Sequence, residues 1–148
     1  MGNRRKAREL AIQILFYMEF AKGSTGELFD AICDNFKPSK AIRAFSKKLV
    51  YGVRENIEYL DKAIRRASKN WRLERMSVVD RSILRLGAFE ILFMDEIPPK
   101  VAIDEAIELG KKYGAEESGA FINGILDNIF LSVKDKKTTA PSIPKEKN

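Results

Sequence analysis

Ser77-Val78-Val79-Asp80-Arg81-Ser82-Ile83-Leu84-Arg85-Leu86-Gly87-Ala88-Phe89-Glu90-Ile91-Leu92 is the stretch that decides the fold of this chain. Val79, Ile83, Leu84, Leu86, Gly87, Ile91 and Leu92 recur at helical spacing and leave little of the helix polar. A helix so apolar is stable only in a central, largely buried position. Ser77 marks its start as an N-cap, with Asp80 three places on in capping-box position. Ile97-Pro98-Pro99 stops it, because proline cannot continue a helix.

Helical periodicity continues in both directions. Downstream, Ala102, Ile103, Ala106, Ile107, Gly110 and Tyr113 mark a helix whose small residues allow close packing, and Gly114 reads as its C′ residue. A last helix runs from about Glu116 or Glu117 to Val133, with Phe121, Ile122, Ile125, Leu126 and Ile129 inward. Upstream of a connector at Trp71–Met76, Ile57, Leu60, Ile64 and Ala67 give a helix ending near Asn70. Ala41, Ile42, Phe45, Leu49 and Val53 give another, from an N-cap at Ser39 to about Arg54. Leu28, Phe29, Ile32 and Cys33 mark a short one behind the break at Lys22–Gly26. Ala7, Leu10, Ala11, Ile14, Leu15 and Met18 line the first, which reads to about Ala21. No segment alternates apolar and polar residues as a half-buried strand does. The reading is all-α, about seven helices in two small packed bundles. We place the bundles at 1–70 and 71–134 within one compact unit, and expect the Lys-, Thr- and Pro-rich 135–148 to be a disordered tail.

At 148 residues, 45% of them hydrophobic and 32% charged, the chain has the make-up of a globular domain able to bury a core. No apolar run is long enough for a membrane span. The basic start is not followed by an uninterrupted apolar stretch, so no signal peptide is expected. Cys33 is the only cysteine, which excludes an intrachain disulfide and fits a reducing cytoplasm. Histidine is absent, which removes the commonest general base and metal ligand and, with one cysteine, any ordinary zinc site.

The net charge of +6 is unevenly placed. Residues 37–81 carry 13 cations against 5 anions, and 82–133 carry 4 against 9. Faces of opposite sign suit different partners. Arg4, Arg5, Lys6 and Arg8 crowd the first two turns of the first helix. A helix start carries partial positive charge, so folding alone would favour acids there. Either this is a solvated terminus indifferent to charge, or it is a basic segment for phosphates. Asp104 and Glu108 share a helix face, but nothing at matching spacing completes a metal shell; a solvated face is the plainer reading. Gly110, Gly114, Gly119 and Gly124 lack the Lys-Ser/Thr ending of a phosphate loop. Phe121 and Asn123, near the start of the last helix with Lys111 and Lys112 not far off, could stack on and bond an unpaired base, or serve core and local structure.

Ile83-Leu84-Arg85-Leu86, Glu90, Ile97 through Leu109, Tyr113-Gly114-Ala115-Glu116 and Phe121 through Asp127 together closely resemble the NusB transcription antitermination factors. The opening Arg4-Arg5-Lys6-Ala7-Arg8-Glu9-Leu10-Ala11 matches that family's arginine-rich start, so the resemblance runs nearly to Val133. It implies an all-helical protein with no catalytic activity and no cofactor. It implies binding of boxA RNA in ribosomal RNA leaders together with the ribosomal protein NusE, and entry into the RNA polymerase elongation complex with other Nus factors. By position, Arg4, Arg5, Lys6, Arg8, Gln13, Lys111, Glu117, Phe121 and Asn123 are its RNA-contacting candidates. Phe16, Glu74 and Asp80 are the NusE-facing ones; Asp80 keeps its reading as a helix cap beside that role. A NusB-like domain also precedes some ribosomal RNA cytosine methyltransferases, but this chain ends before such a domain could begin. A protein–protein adaptor whose basic start merely solvates is the competing reading.

Overall fold

The computed structural model describes residues 2–69 and 71–139. Among them every regular element is a helix: α1 (Asn3–Met18), α2 (Thr25–Phe36), α3 (Lys40–Glu55), α4 (Ile57–Ser68), a 3-10 turn at Leu73–Arg75, α5 (Val78–Phe93), α6 (Pro99–Tyr113) and α7 (Ser118–Thr139). The all-α class and the seven helices are those the periodicity calls for.

The apolar stretch takes the central place its composition demands. α5 packs against α1, α3, α4, α6 and α7. Ile83, Leu84, Leu86 and Ala88 are sealed from solvent, each of the larger ones worth roughly 1.5–3 kcal/mol. α1, α2 and α3 pack on one another; α4 lies against α5 and α7 far more than against α3. Small residues bring α6 and α7 together: a Cβ on Gly110 would sit 2.8 Å from Ile122 Cδ1.

The caps explain most boundaries. Ser24 and Glu27 form a reciprocal capping box on α2, and the Ser39 and Ser77 hydroxyls accept the backbone N–H groups of Ile42 and Asp80. Four boundary details differ from the sequence reading. α1 ends at Met18 rather than Ala21, because the Glu19 and Phe20 N–H groups turn onto the Phe16 and Tyr17 carbonyls and tighten the last turn. α4 ends at Ser68, whose hydroxyl donates to the Arg65 and Trp71 carbonyls. α7 continues past Val133 through Thr139, so 135–139 are helical; the rest of the expected tail, 140–148, lies outside the described residues. Gly114 closes α6 with φ −97, not in the left-handed conformation of a C′ glycine. Its need is space: an added Cβ would meet Ser118 Cβ at 2.7 Å.

Candidate nucleic-acid interface

The cations of α1 meet different fates one turn apart. Arg8 is 5% exposed and faces Glu90 of α5, itself 1% exposed. Its Nε donates to Glu90 Oε1 and Oε2 at 3.1 and 2.9 Å, and its Nη2 donates to Oε1 at 2.8 Å. This forked geometry fixes the helix start on the central helix. Arg8 was expected among the phosphate-seeking cations. Its guanidinium is instead consumed inside the fold and offers solvent almost nothing. Burial pushes the Glu90 carboxyl above the usual carboxylate range, against the opposing pull of Arg8.

Arg4, Arg5 and Lys6 remain exposed. Arg5 donates to both oxygens of Glu105 on α6, at 3.1 and 2.7 Å, while its side chain stays 53% exposed. That hydrogen bond holds Glu105 below the usual carboxylate range. The Arg4 guanidinium lies 4.7 Å over the Phe45 ring of α3. Next to it the Ser46 hydroxyl donates to the Ala7 carbonyl at 2.6 Å. The N-cap Gly2 supplies no side-chain bond and the first turn holds no acid. The cations are therefore displayed on a helix start anchored through Ala7 and Arg8, not on a fraying end.

α6 carries the basic surface onward. Lys112 pairs with Glu9 of α1 at 2.9 Å, and exposed Lys111 contacts Glu108 at 3.7 Å. A Cβ on Gly119 of α7 would touch the Lys111 side chain at 3.4 Å, so Lys111 lies against the start of α7. Glu117 is exposed there, its carbonyl accepting the Phe121 N–H. Phe121 is half-buried and meets Trp71 edge to face, with centroids 5.3 Å apart. Asn123 is exposed on the same helix, and Gln13 is half-buried on α1. The structure thus links Arg5, Lys111, Glu117 and Phe121 through α6; it records no contact tying Gln13 or Asn123 to them.

The other end of α1 makes a second surface. Phe16 and Phe20, 40% and 68% exposed, contact each other at 5.1 Å. Glu19 bridges Arg81 and Arg85 of α5 at 3.3 Å each, and Arg85 also pairs with Asp61. Arg81 donates to the Leu73 and Met76 carbonyls, which draws in the connector. Glu74, on this connector, pairs with Arg65 at 3.2 Å, and its carboxyl lies below the usual range through its own backbone N–H and Arg65. The Asp80 N–H donates to the Ser77 hydroxyl that caps α5; its side chain returns no recorded bond to complete the expected capping box, and its Oδ1 is buried with no hydrogen-bond partner among the described residues.

Sequence reading overlooked three working residues. Glu90 could have been found as a carboxylate inside an otherwise apolar helix, which demands a buried cation. Glu105 lies beside Asp104 in an acidic stretch whose plainer reading is a solvated face, and its partner Arg5 is 100 residues away. Trp71, the only tryptophan, was passed over as connector. No group of metal-ligating side chains forms among the described residues. Cys33 is buried, and burial raises its thiol pKa, so it is not poised as a nucleophile. No described helix is long and apolar enough to cross a membrane.

Comparison with known proteins identifies the family. The family model described as the NusB family matches residues 5–130. The chain is 47% identical over 138 residues to the transcription antitermination protein NusB of Desulfatibacillum aliphaticivorans, covering 93% of this chain and 96% of that one. It is 48% identical over 137 residues to the protein of that name from Geobacter sulfurreducens, covering 92% and 99%. Among solved structures, a T. maritima NusB superposes with a TM-score of 0.80 at 39% identity, over 97% of this chain and 95% of that one. A structure of antitermination factors NusB and NusE in complex with dsRNA matches with a TM-score of 0.81 at 30% identity, over 89% and 98%.

Proposed function

The chain belongs to the NusB family of transcription antitermination proteins, not enzymes, and we propose that it binds boxA-type single-stranded RNA of ribosomal RNA leaders as a heterodimer with NusE. In that form it joins the elongating RNA polymerase with other Nus factors, in the cytoplasm. The observation that carries the RNA half is the anchored display of Arg4, Arg5 and Lys6, with Lys111 of α6 lying against Gly119 at the start of α7, the helix that carries Phe121. Cations take phosphates without regard to sequence; a half-buried aromatic beside them takes an unpaired base. A NusB relative complexed with NusE and RNA supports both halves. That RNA is double-stranded, whereas the Phe121 ring argues for unpaired bases here.

Arg8 acts as a positioning residue that holds the α1 start on Glu90. With Arg4, Arg5 and Lys6 as the phosphate contacts, log K against log salt should fall with a slope of roughly −2 on a single strand. Gln13, Glu117 and Asn123 complete the proposed RNA surface as polar groups. Phe16 with Phe20 is the apolar anchor for NusE, and Glu74 and Asp80 supply carboxylates for a basic protein.

The test is fluorescence anisotropy with a boxA-like strand and a scrambled strand, with and without NusE. Tighter binding to the boxA-like strand, strengthened by NusE, is the expected result. Equal weak binding to both strands in both conditions would leave the adaptor reading and overturn this one.

A further inference from the structure

We propose that the RNA path continues past Phe121 over Trp71 into the groove between α4 and α7, where Lys62, Arg66 and Lys69 take further phosphates. This rests on the RNA-binding reading above and extends it to a surface outside the residues which that reading uses.

Trp71 is 60% exposed although it is the largest apolar side chain in the protein. Its edge-to-face contact with Phe121 leaves much of its surface open, and Ser68 holds its backbone: the Trp71 N–H donates to the Ser68 carbonyl and the Ser68 hydroxyl returns a bond to the Trp71 carbonyl. A rigid, open indole beside a candidate base-stacking ring is a second stacking platform.

A groove of about 340 Å³ opens between α4 and α7, lined also by Leu92 of α5 and reaching Lys69, two residues before Trp71 in the chain. Asn128 of α7 donates to the Ala67 carbonyl of α4 at 3.0 Å and ties the two walls of the groove together. Asn128 lies seven residues, roughly 10 Å, along α7 from Phe121, close to the same helix face. Lys62, Arg66 and Lys69 line one side, and none of them has an ion-pair partner among the described residues. In the same basic stretch Arg43, Lys48, Arg65, Arg81 and Arg85 are paired, while Lys40, Arg72 and Arg75 share the unpaired state among the described residues; what distinguishes Lys62, Arg66 and Lys69 is that they line one groove. Tyr59, 41% exposed, also lines the groove. Unneutralised cations along a groove that carries one aromatic, with the Trp71–Phe121 pair on the segments that lead into it, are the chemistry that tracks a single strand. Continuity with Phe121 favours RNA over an acidic peptide as the occupant.

Trp71 reports on the question directly, since it is the only tryptophan. The full chain would be titrated with a boxA-like core strand, and with the same core lengthened by four uridines at the 5′ or at the 3′ end. Tryptophan emission and anisotropy would both be read. We expect one extension to bind about tenfold tighter than the core and to quench the emission. Trp71→Ala, and separately the Lys62→Gln, Arg66→Gln, Lys69→Gln triple variant, should abolish the extension's gain while leaving core binding in place; Trp71→Phe should restore most of it. A gain that survives both variants, or no gain from either extension, overturns the proposal while the core reading stands. An emission change produced by an acidic helical peptide and by no RNA would overturn it in favour of a protein partner. Failure of the core strand itself to bind would overturn the RNA reading and this extension with it.

Discussion

The two ends of α1 fasten to the same central helix by opposite arrangements of charge. At its start a buried arginine of α1 meets a buried carboxylate of α5, Arg8 with Glu90. At its end the C-cap carboxylate, Glu19, just past Met18, meets two arginines of α5, Arg81 and Arg85. What remains exposed differs accordingly. The start keeps spare cations, Arg4, Arg5 and Lys6; the end keeps aromatics, Phe16 and Phe20. Each end therefore uses some charge to position the helix and presents what is left to a partner, nucleic acid at one end and protein at the other. The lesson is that a run of like residues in sequence is not one functional group. Arg5 and Arg8 are three residues apart, yet one faces solvent and the other the core.

The largest effect should come from breaking the buried pair. Glu90→Ala leaves the buried Arg8 charge without its hydrogen-bonded partner and with only the longer 3.9 Å pairing to Glu105, and urea denaturation should show a loss of about 3–5 kcal/mol. Arg8→Met combined with Glu90→Leu should recover most of that loss, since apolar side chains of similar size often replace a buried pair without cost. A single variant costing under about 1 kcal/mol would mean that the pair does not anchor α1.

Next is the exposed remainder. Replacing Arg4, Arg5 and Lys6 together with Ala should weaken RNA binding about a hundredfold at low salt and remove roughly 2 from the salt slope. NusE association should stay unchanged, and melting temperature should fall only by the small contribution of the exposed Arg5–Glu105 pair. At the opposite end, Phe16→Ala with Phe20→Ala should weaken NusE binding about tenfold, as for an interface anchor, with RNA affinity of the isolated chain unaltered. Crossed effects, with the cations governing NusE or the phenylalanines governing RNA, would erase the division between the two ends.

The fold was legible because its period was. Ile83, Leu84 and Leu86 announce a helix without an open face, and the serine caps at 24, 39 and 77 are local chemistry; Ser24 went unnoticed, but its Glu27 partner sits three places on as the capping box requires. The site was legible only in part. That α1 is basic can be read from four letters. Which of the four is free depends on Glu90 and Glu105, 82 and 100 residues away. Trp71 was illegible for a related reason: its neighbour Phe121 lies on another helix, and only the packing of α4 on α7 brings them together. Gly114 shows the reverse case, where the right boundary was read for a reason that the backbone does not bear out.

The smallest expected effect separates the two carboxylates that hold arginines at the start of α1. Glu105 is held below its ordinary value of 4.5 by Arg5, so the folded chain binds its proton less readily than the unfolded chain does. Its contribution to stability is present above the ordinary carboxylate range and is lost as pH falls through the depressed value. Glu90 has the opposite sign: burial raises it, so its contribution grows as pH falls toward the ordinary range. Thermal melts from about pH 6 to about pH 3 should therefore show a shallower acid loss in Glu105→Gln than in the parent chain. The same variant should bind RNA at least as well as the parent, because it removes an anion next to Arg5 without removing the cation. Weaker RNA binding in Glu105→Gln would mean that Arg5 works only when the carboxylate orients it, which would make the exposed pair a positioning device like the buried one.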